Sequence, residues 1–302
     1  MTLISWTLSI LLLAVLAAAG GQQYRYLRAR RDIVADRQAL FHSSSAFHVA
    51  TMIALSPDQE VLAGVRTFVD AIERDGATVV YAGKVAVNAM HSSQLPTAEW
   101  DAFVLAQYPS REAYAAALTN PDYQKARASF AASYALGMQR SPAQNFALPI
   151  LLLGRRAVDI IRRQPARYPF QPAEGLDQVP AQMQERRAGL VRGLLANREY
   201  GKDAIAVVNF IKNGSSEQRD ANSGYGSAMM SVMAEGGHGP IHLGKAVTVE
   251  GDADFDQVVI VYYPGVEYFA ELVQSEFFTN IVGGKQLADT LSSPTVPLLP
   301  HL

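Results

Sequence analysis

Lys84 and Lys245 each follow a glycine inside a β-like apolar run, in "YAGKVAV" and "HLGKAVTV". Tyr108 and Tyr263 each close another apolar run and stand directly before a proline, in "FVLAQYPSREAY" and "VVIVYYPGVEYF". A lysine in an apolar cleft has its pKa lowered and can act as a base or anchor an anion, and a tyrosine hydroxyl can donate to a developing oxyanion. Tyr81, Asn209 and His48 fall on neighbouring strand-like runs, and Tyr123 lies downstream of Tyr108, so these eight residues form the candidate pocket set. The plainer reading is that the lysines snorkel from strand edges and the tyrosines pack as core with a wet hydroxyl. No residue of the set can be assigned a catalytic role.

Other chemistries are bounded more tightly. The chain has no cysteine, which excludes disulfides, thiolate catalysis and Cys-ligated metals. A formal charge of −2 gives no electrostatic case for nucleic acid. The histidines are His42, His48, His91, His238, His242 and His301, and "HGPIH" carries Gly and Pro where a helical metal pair would need neither, so no metal is expected. The Gly- and Ser-rich stretch "GSSEQRDANSGYGS" lacks a phosphate-loop pattern, as does "VGGKQ". No nucleophile elbow is present from which to build a serine triad.

Those residues must be positioned by a repeated unit. One constant offset superposes Tyr108-Pro109 on Tyr263-Pro264, Asp101 on Asp256, Glu112 on Glu267, Tyr123 on Phe278 and Asn120 on Ser275. A slightly larger one superposes the Gly-Lys strands, and the difference falls in the polar loop "NAMHSSQLPTAEW", where an insertion is tolerated. Each copy reads as strand, helix, two strands, helix, strand. The first strands lie near Phe47 and Ala204, a helix runs from Asp58 to Gly76, and last strands are expected near Phe146 and Val296. Pro109 and Pro264 stop a strand, Ser110 and Gly265 cap the helix that follows, and Glu112 and Glu267 suit its dipole.

The motifs "YPSREAYAAALTNPDYQ" and "YYPGVEYFAELVQSEFFT", each after a Gly-Lys strand, resemble small bacterial domains of unknown function in the dimeric α/β-barrel superfamily. The likeness spans roughly residues 46–150 and 202–302. It departs at Gly83-Lys84 and Gly244-Lys245, where those domains often have Gly-Arg, and at the second helical restart, which has Phe278 where the first has Tyr123. The resemblance implies an α+β fold of two ferredoxin-like βαββαβ units forming a single-chain pseudo-dimeric barrel. Relatives in that superfamily include cofactor-independent monooxygenases, isomerase-like enzymes and haem proteins, so fold alone selects no function. No histidine falls in the second helix of either copy, where the haem-binding relatives carry their axial ligand, and no cofactor is expected. The first copy is expected to be the working one, because it keeps Tyr123.

The remaining segments point to a membrane. Residues 1–24 begin "MTLISWTLSILLLAVLAAAGG", about 31 Å long as a helix and matched to one bilayer core. A cleaved signal peptide is the competing reading, but no Lys or Arg precedes the apolar run, while Arg25, Arg28, Arg30 and Arg31 follow it. The expected arrangement is a single-pass anchor in a bacterial inner membrane, a basic juxtamembrane segment over 25–45 and a cytoplasmic body. Between the copies, residues 151–201 form a helical linker with Arg155, Arg156, Arg162 and Arg163 beside apolar residues. That linker either lies on an anionic leaflet through its arginines or packs on the barrel with a solvated basic face. The expected partners are the lipid bilayer and a small lipophilic ligand or a membrane protein. Two functions remain: a ligand- or partner-binding module, which is favoured, and a cofactor-independent monooxygenase- or isomerase-like enzyme on a small lipophilic substrate.

Overall fold

A computed structural model describes residues 3–173, 181–196 and 204–302. After helix α1 (Leu3–Asp32), the first copy comprises β1 (Phe47–Ala54), α2 (Val61–Arg74), β2 (Thr78–Val85), β3 (Ala102–Tyr108), α3 (Arg111–Ala117), α4 (Pro121–Ala128) and β4 (Ala132–Gln139). Two linker helices follow, α5 (Gln144–Ile161) and α6 (Ala181–Ala196). The second copy comprises β5 (Ile205–Lys212), α7 (Ser216–Gly236), β6 (Pro240–Thr248), β7 (Gln257–Tyr263), α8 (Val266–Gln274), α9 (Glu276–Val282) and β8 (Asp289–Pro297). Gly201, the last residue of the expected helical linker, lies outside the described residues.

The strands close into one antiparallel barrel in the order β1-β3-β2-β8-β5-β7-β6-β4. Each copy supplies a four-stranded ferredoxin-like sheet, and the two sheets meet at two seams. At one, Gly83–Val85 pairs with Thr295–Pro297; at the other, Leu136–Gln139 pairs with Lys245–Thr248. The Gly-Lys pairs sit at these seams, one at each. A Cβ on Gly83 would run into Thr295 and the Tyr81 hydroxyl, and one on Gly244 into the Gln139 carbonyl. The glycines therefore permit the close strand approach that closes the barrel. Both copies also bulge at equivalent places, between Val79 and Tyr81 in β2 and between Pro240 and His242 in β6.

Strand-to-helix punctuation follows the sequence. The Ser110 side chain accepts from Ala113 N at 3.2 Å and the Ser275 side chain from Phe278 N at 3.0 Å. The second helix of each copy is broken at Asn120 and Ser275 into α3–α4 and α8–α9. Two expectations change, one for Phe146 and one for the linker arginines of α5. The last strand of the first copy is β4, ending at Gln139; Phe146 belongs to α5 instead, since the β-like run is "YALGM" and the polar "QRSPAQ" separates it from the helix. The Gly- and Ser-rich stretch after Gly214 is the start of α7, held by a capping box between Ser215 and Gln218.

Alternation along the strands sends one face inward and the other toward helices. The inward face fills the barrel with side chains from both copies, including Tyr134 and Phe210, and Phe255 from the segment before β7 packs on both, with ring centroids 5.7–6.5 Å apart. Helices α2–α4 cover the outer face of the first sheet and α7–α9 that of the second. Helix α1 is long and apolar enough over Trp6–Asp32 to cross a membrane, and a signal sequence meets the same criterion.

Candidate functional site

The two outer layers differ. Under α2–α4, Phe68 packs on Tyr123 and Phe130 at centroid distances of 5.8 and 5.7 Å, and Val65, Ile72 and Tyr114 complete a closed apolar core. Under α7–α9 the corresponding space is a cavity of about 820 Å³. Its floor is the outer face of β5 and β7, carrying Val207, Asn209, Ile211, Val259, Val261 and Tyr263. The wall contributed by α7 carries Tyr225, Gly226, Met229, Met230 and Met233, and α8 and α9 add Phe269, Val273 and Phe278.

Superposing the copies explains the opening. Counted back from the left-handed glycines Gly76 and Gly237 that end α2 and α7, Val65, Phe68 and Ile72 correspond to Gly226, Met229 and Met233. Counted on from the restart residues Asn120 and Ser275, Phe130 corresponds to Lys285. A Cβ built on Gly226 meets nothing within 4 Å. The second copy thus lacks a branched residue and two aromatic rings where the first packs them.

Polar groups enter this cavity at few points. The Asn209 amide donates to the Val207 and Val259 carbonyls at 3.1 and 3.2 Å and accepts from Ser292 Oγ at 2.9 Å. Lys285 is half-buried just beyond α9, its Nζ 3.8 Å from Met90 Sδ, and burial lowers its ammonium to about 8. Arg187 of α6 donates to Thr279 Oγ1 at 3.1 Å, and the exposed His91 stands on the loop after β2. Burial pushes the Tyr225 hydroxyl up to about 12 and Tyr263 well above its ordinary value, so both remain donors at neutral pH. No carboxylate is among the described residues lining the cavity. An apolar chamber whose formal charges among the described residues are cations suits an apolar molecule with an anionic end.

The candidate residues are dispersed accordingly. Tyr263 and Asn209 line the cavity. Tyr108, the equivalent of Tyr263, and Tyr123 are buried in the closed first-copy core, so the open volume lies under the copy without the restart tyrosine. Tyr81 points into the barrel, its hydroxyl 2.8 Å from Thr295 Oγ1. Lys84 and Lys245 are the seam residues already described, outside the cavity lining.

His48 belongs to a second constellation, at the barrel end where the chain arrives from α1. The buried carboxylate of Asp36 accepts from Arg30 Nη2 at 2.7 Å, from Gln38 N at 3.0 Å and from His242 Nε2. Arg140 Nη1 donates to Gln38 Oε1 at 2.7 Å, which also lies 2.9 Å from His48 Nε2, and Arg140 Nη2 donates to Asn145 at 3.0 Å. Burial raises the Asp36 pKa, but Arg30 and His242 more than offset this and hold it well below the carboxylate range. Burial lowers His242 to about 3 and His48 to about 2, so both are neutral. The arrangement offers no nucleophile; it ties the segment after α1 to β1, β4 and β6. Sequence reasoning missed Asp36, Arg30, Arg140 and Lys285 as members of these constellations.

The membrane-surface set divides as well. Arg25, Arg28, Arg31, Arg162 and Arg163 are exposed. Arg30 is not a surface residue: it is 2 % exposed and committed to Asp36. Arg155 and Arg156 turn onto α7, Arg155 Nε donating to Ser231 Oγ at 2.8 Å and Arg156 lying 3.9 Å from Glu235. Among the described residues no group of three His, Asp or Glu is placed to hold a metal ion.

The strand order and the outer-layer cavity define a closed antiparallel α/β barrel with one open side chamber. No protein-family model matches the sequence, and no curated protein matches it. Among solved structures, the chain is similar to a variant of chlorite dismutase from Candidatus Nitrospira defluvii, at 12 % identity and TM-score 0.42, over 87 % of this chain and 96 % of that one. A proposed monooxygenase from Lactobacillus acidophilus is similar at 7 % identity and TM-score 0.39, over 84 % of this chain and 94 % of that one. A protein of unknown function from Rhodopseudomonas palustris matches 33 % of this chain over 85 % of its own length, at 20 % identity and TM-score 0.25. The fold assignment rests on the strand ladder, not on these likenesses.

Proposed function

We propose that the protein is a membrane-anchored binding module whose second unit holds a small lipophilic anion in the cavity beneath α7–α9. The observation that carries this reading is the exchange of Val65, Phe68 and Phe130 for Gly226, Met229 and Lys285 at equivalent positions. A glycine in a helix interior costs roughly 1 kcal/mol relative to alanine, and this one leaves an opening rather than relieving a clash. Methionine supplies an adaptable apolar wall for ligands of irregular shape. Lys285 and Arg187 supply the charge for an anionic end, while the donors of Asn209 and Ser292 on the floor are spent within the protein. A turnover reading has one observation in its favour, the Lys285 amine lowered to about 8, which would let it serve as a base near neutral pH.

The test is photolabelling of the full chain in nanodiscs with a diazirine-bearing palmitate, with the labelled peptides mapped by mass spectrometry. Labels should appear on α7, β7 and α9. Gly226→Leu should abolish them while raising stability by roughly 0.7–1 kcal/mol through helix propensity. Lys285→Met should weaken capture of the acid by about 10-fold or more, the worth of a charge-assisted contact, and leave its methyl ester unaffected. Labelling that ignores Gly226→Leu would remove the cavity from consideration.

A further inference from the structure

Helix α5 is amphipathic with its faces the unexpected way round. Its charged side lies against the protein. Asp159 is buried, Arg155 and Arg156 reach Ser231 and Glu235 of α7, and Arg167, just beyond the helix, lies 3.2 Å from Asp159 and 3.6 Å from Glu235. Its outward stripe is Phe146, Ile150, Leu151, Val158 and Ile161, all exposed, with Leu151 at 58 % and Ile161 at 79 %. Gly154 and Ala157 fill the gaps in that stripe, so it carries no polar side chain from Phe146 to Ile161. The expected basic face is therefore divided: Arg155 and Arg156 turn onto α7, and Arg162 and Arg163, just past the helix end, stay exposed. A contiguous exposed apolar stripe of this kind marks an interaction surface.

We propose that the outward face of α5 is embedded in the acyl region of the same bilayer that α1 is read as crossing. The inference rests on that anchor reading. Its support is the continuity of one apolar surface. Helix α5 packs beside α1, with Gln23 Nε2 donating to the Asn145 carbonyl at 3.2 Å. Helix α1 itself exposes Leu12, Leu13 and Leu16. Phe41, 57 % exposed, stacks on Phe146 with centroids 5.9 Å apart and extends the exposed apolar surface at the start of α5. Charge fits a bilayer better than it fits a second copy of the chain. The exposed Arg162 and Arg163 adjoin Ile161, and Arg25 and Arg31 are exposed on α1, where anionic headgroups would pair with them; Arg28 pairs with Asp32 at 3.2 Å. A self-contact through the stripe would bury the apolar residues and bring the like-charged Arg162 and Arg163 of two copies toward one another. In this arrangement α7 lies between the membrane-bound α5 on one side and the cavity on the other, so a lipophilic ligand would have a short path from the bilayer.

The absence of cysteine makes the test direct. Single substitutions Leu13→Cys, Leu151→Cys, Val158→Cys, Arg163→Cys and Gln124→Cys are labelled with an environment-sensitive nitrobenzoxadiazole dye. Each full-length chain is reconstituted in phosphatidylcholine–phosphatidylglycerol vesicles carrying doxyl groups either on the acyl chain or on the headgroup. Labels at 151 and 158 should be quenched by acyl-chain doxyl as strongly as the label at 13. The label at 163 should respond to the headgroup quencher, and the label at 124, on the exposed side of α4, to aqueous iodide alone. Iodide access at 151 and 158 equal to that at 124 would overturn the inference. So would protection from both quenchers with energy transfer between differently labelled copies, which would assign the stripe to self-association. A label at 13 that fails to quench while 151 and 158 do would sink the anchor and leave the embedded face standing; the reverse pattern would sink the embedded face alone.

Discussion

The first unit and the second unit are built from one plan, down to the bulge in the strand that carries Gly-Lys and the serine or asparagine that restarts the last helix. Yet the first is closed beneath its helices and the second is hollow. The barrel explains why this division is workable. Both sheets contribute to a common interior, so the strand scaffold is held from inside by residues such as Tyr134 and Phe210 whichever outer layer is filled. The outer layer of one unit is then free to lose packing. Val65, Phe68 and Phe130 lock α2 and α4 onto the sheet; Gly226, Met229 and Lys285 leave α7 and α9 standing off it. The cost of the hollow falls on one unit and the rigidity is supplied by the other.

Acid should expose this division most strongly. Three buried histidines are held neutral: burial lowers His238 to about 4, His242 to about 3 and His48 to about 2. Two of the three lie in or beside β6 of the second unit, and none packs in the closed core beneath α2. Each takes up a proton in the unfolded chain near pH 6.5 but not in the folded one. The unfolded state therefore binds more protons as pH falls, and stability is lost below that value. Between pH 7 and pH 5 the loss is about 2 kcal/mol for each group. Asp36 adds nothing in this window: its depressed pKa contributes stability that is kept above the ordinary carboxylate value and lost only at lower pH. Denaturant midpoints should fall across this range. Amide exchange should show α7 and β6 losing protection at a higher pH than α2 and β3, which carry no histidine. Stability that stays flat from pH 7 to pH 5 would mean that these rings are not held neutral.

Packing offers a second way to break the comparison. Phe68 is 1 % exposed between two aromatic rings, and Phe68→Ala should cost about 3–5 kcal/mol. Met229 is 4 % exposed but faces the cavity, so it has few partner atoms on that side. Met229→Ala should cost less than about 2 kcal/mol, since a side chain against a void has already forfeited part of its dispersion energy. Equal losses in urea unfolding would show that the second unit closes over Met229 in solution.

How far the sequence disclosed all this depends on the range over which each signal acts. The repeat, the strand stops at Pro109 and Pro264 and the restarts at Asn120 and Ser275 are local, and their positions were legible. Barrel closure was implied by the resemblance, while the physical need for glycine at the seams emerged only with Gly83 against Thr295 and Gly244 against Gln139. Helix α5 shows the limit of periodicity. Apolar and basic faces can be read from spacing, but Glu235 and the buried Asp159 decide which face turns inward, and Glu235 lies on a distant helix. The Asp36–His242 contact joins residues far apart in the chain and leaves no local trace. The cavity did leave one. Setting α2 against α7 places Phe68 over Met229 and Val65 over Gly226, a comparison available from the repeat alone but legible only once both helices are known to end on equivalent glycines.

The smallest expected effect is also the sharpest comparison, because Tyr108 and Tyr263 occupy the same strand end in the two units. Tyr108 meets the Tyr114 ring at 5.1 Å inside the closed core, and Tyr263 meets Phe269 at 4.6 Å on the cavity floor. Tyr→Phe retains ring and packing at both sites and removes only a hydroxyl, so either change should alter unfolding free energy by no more than about 0.5–1.5 kcal/mol. Binding should separate them. Tyr108→Phe should leave capture of the diazirine palmitate unchanged, whereas Tyr263→Phe removes a donor whose pKa burial keeps high and should weaken capture several-fold. Indifference at both positions would confine ligand recognition to Lys285 and the methionine wall, and reduce both tyrosines to scaffold. A loss of capture on Tyr108→Phe equal to that on Tyr263→Phe would mean that the closed core and the cavity are not independent, which is the comparison at its most vulnerable.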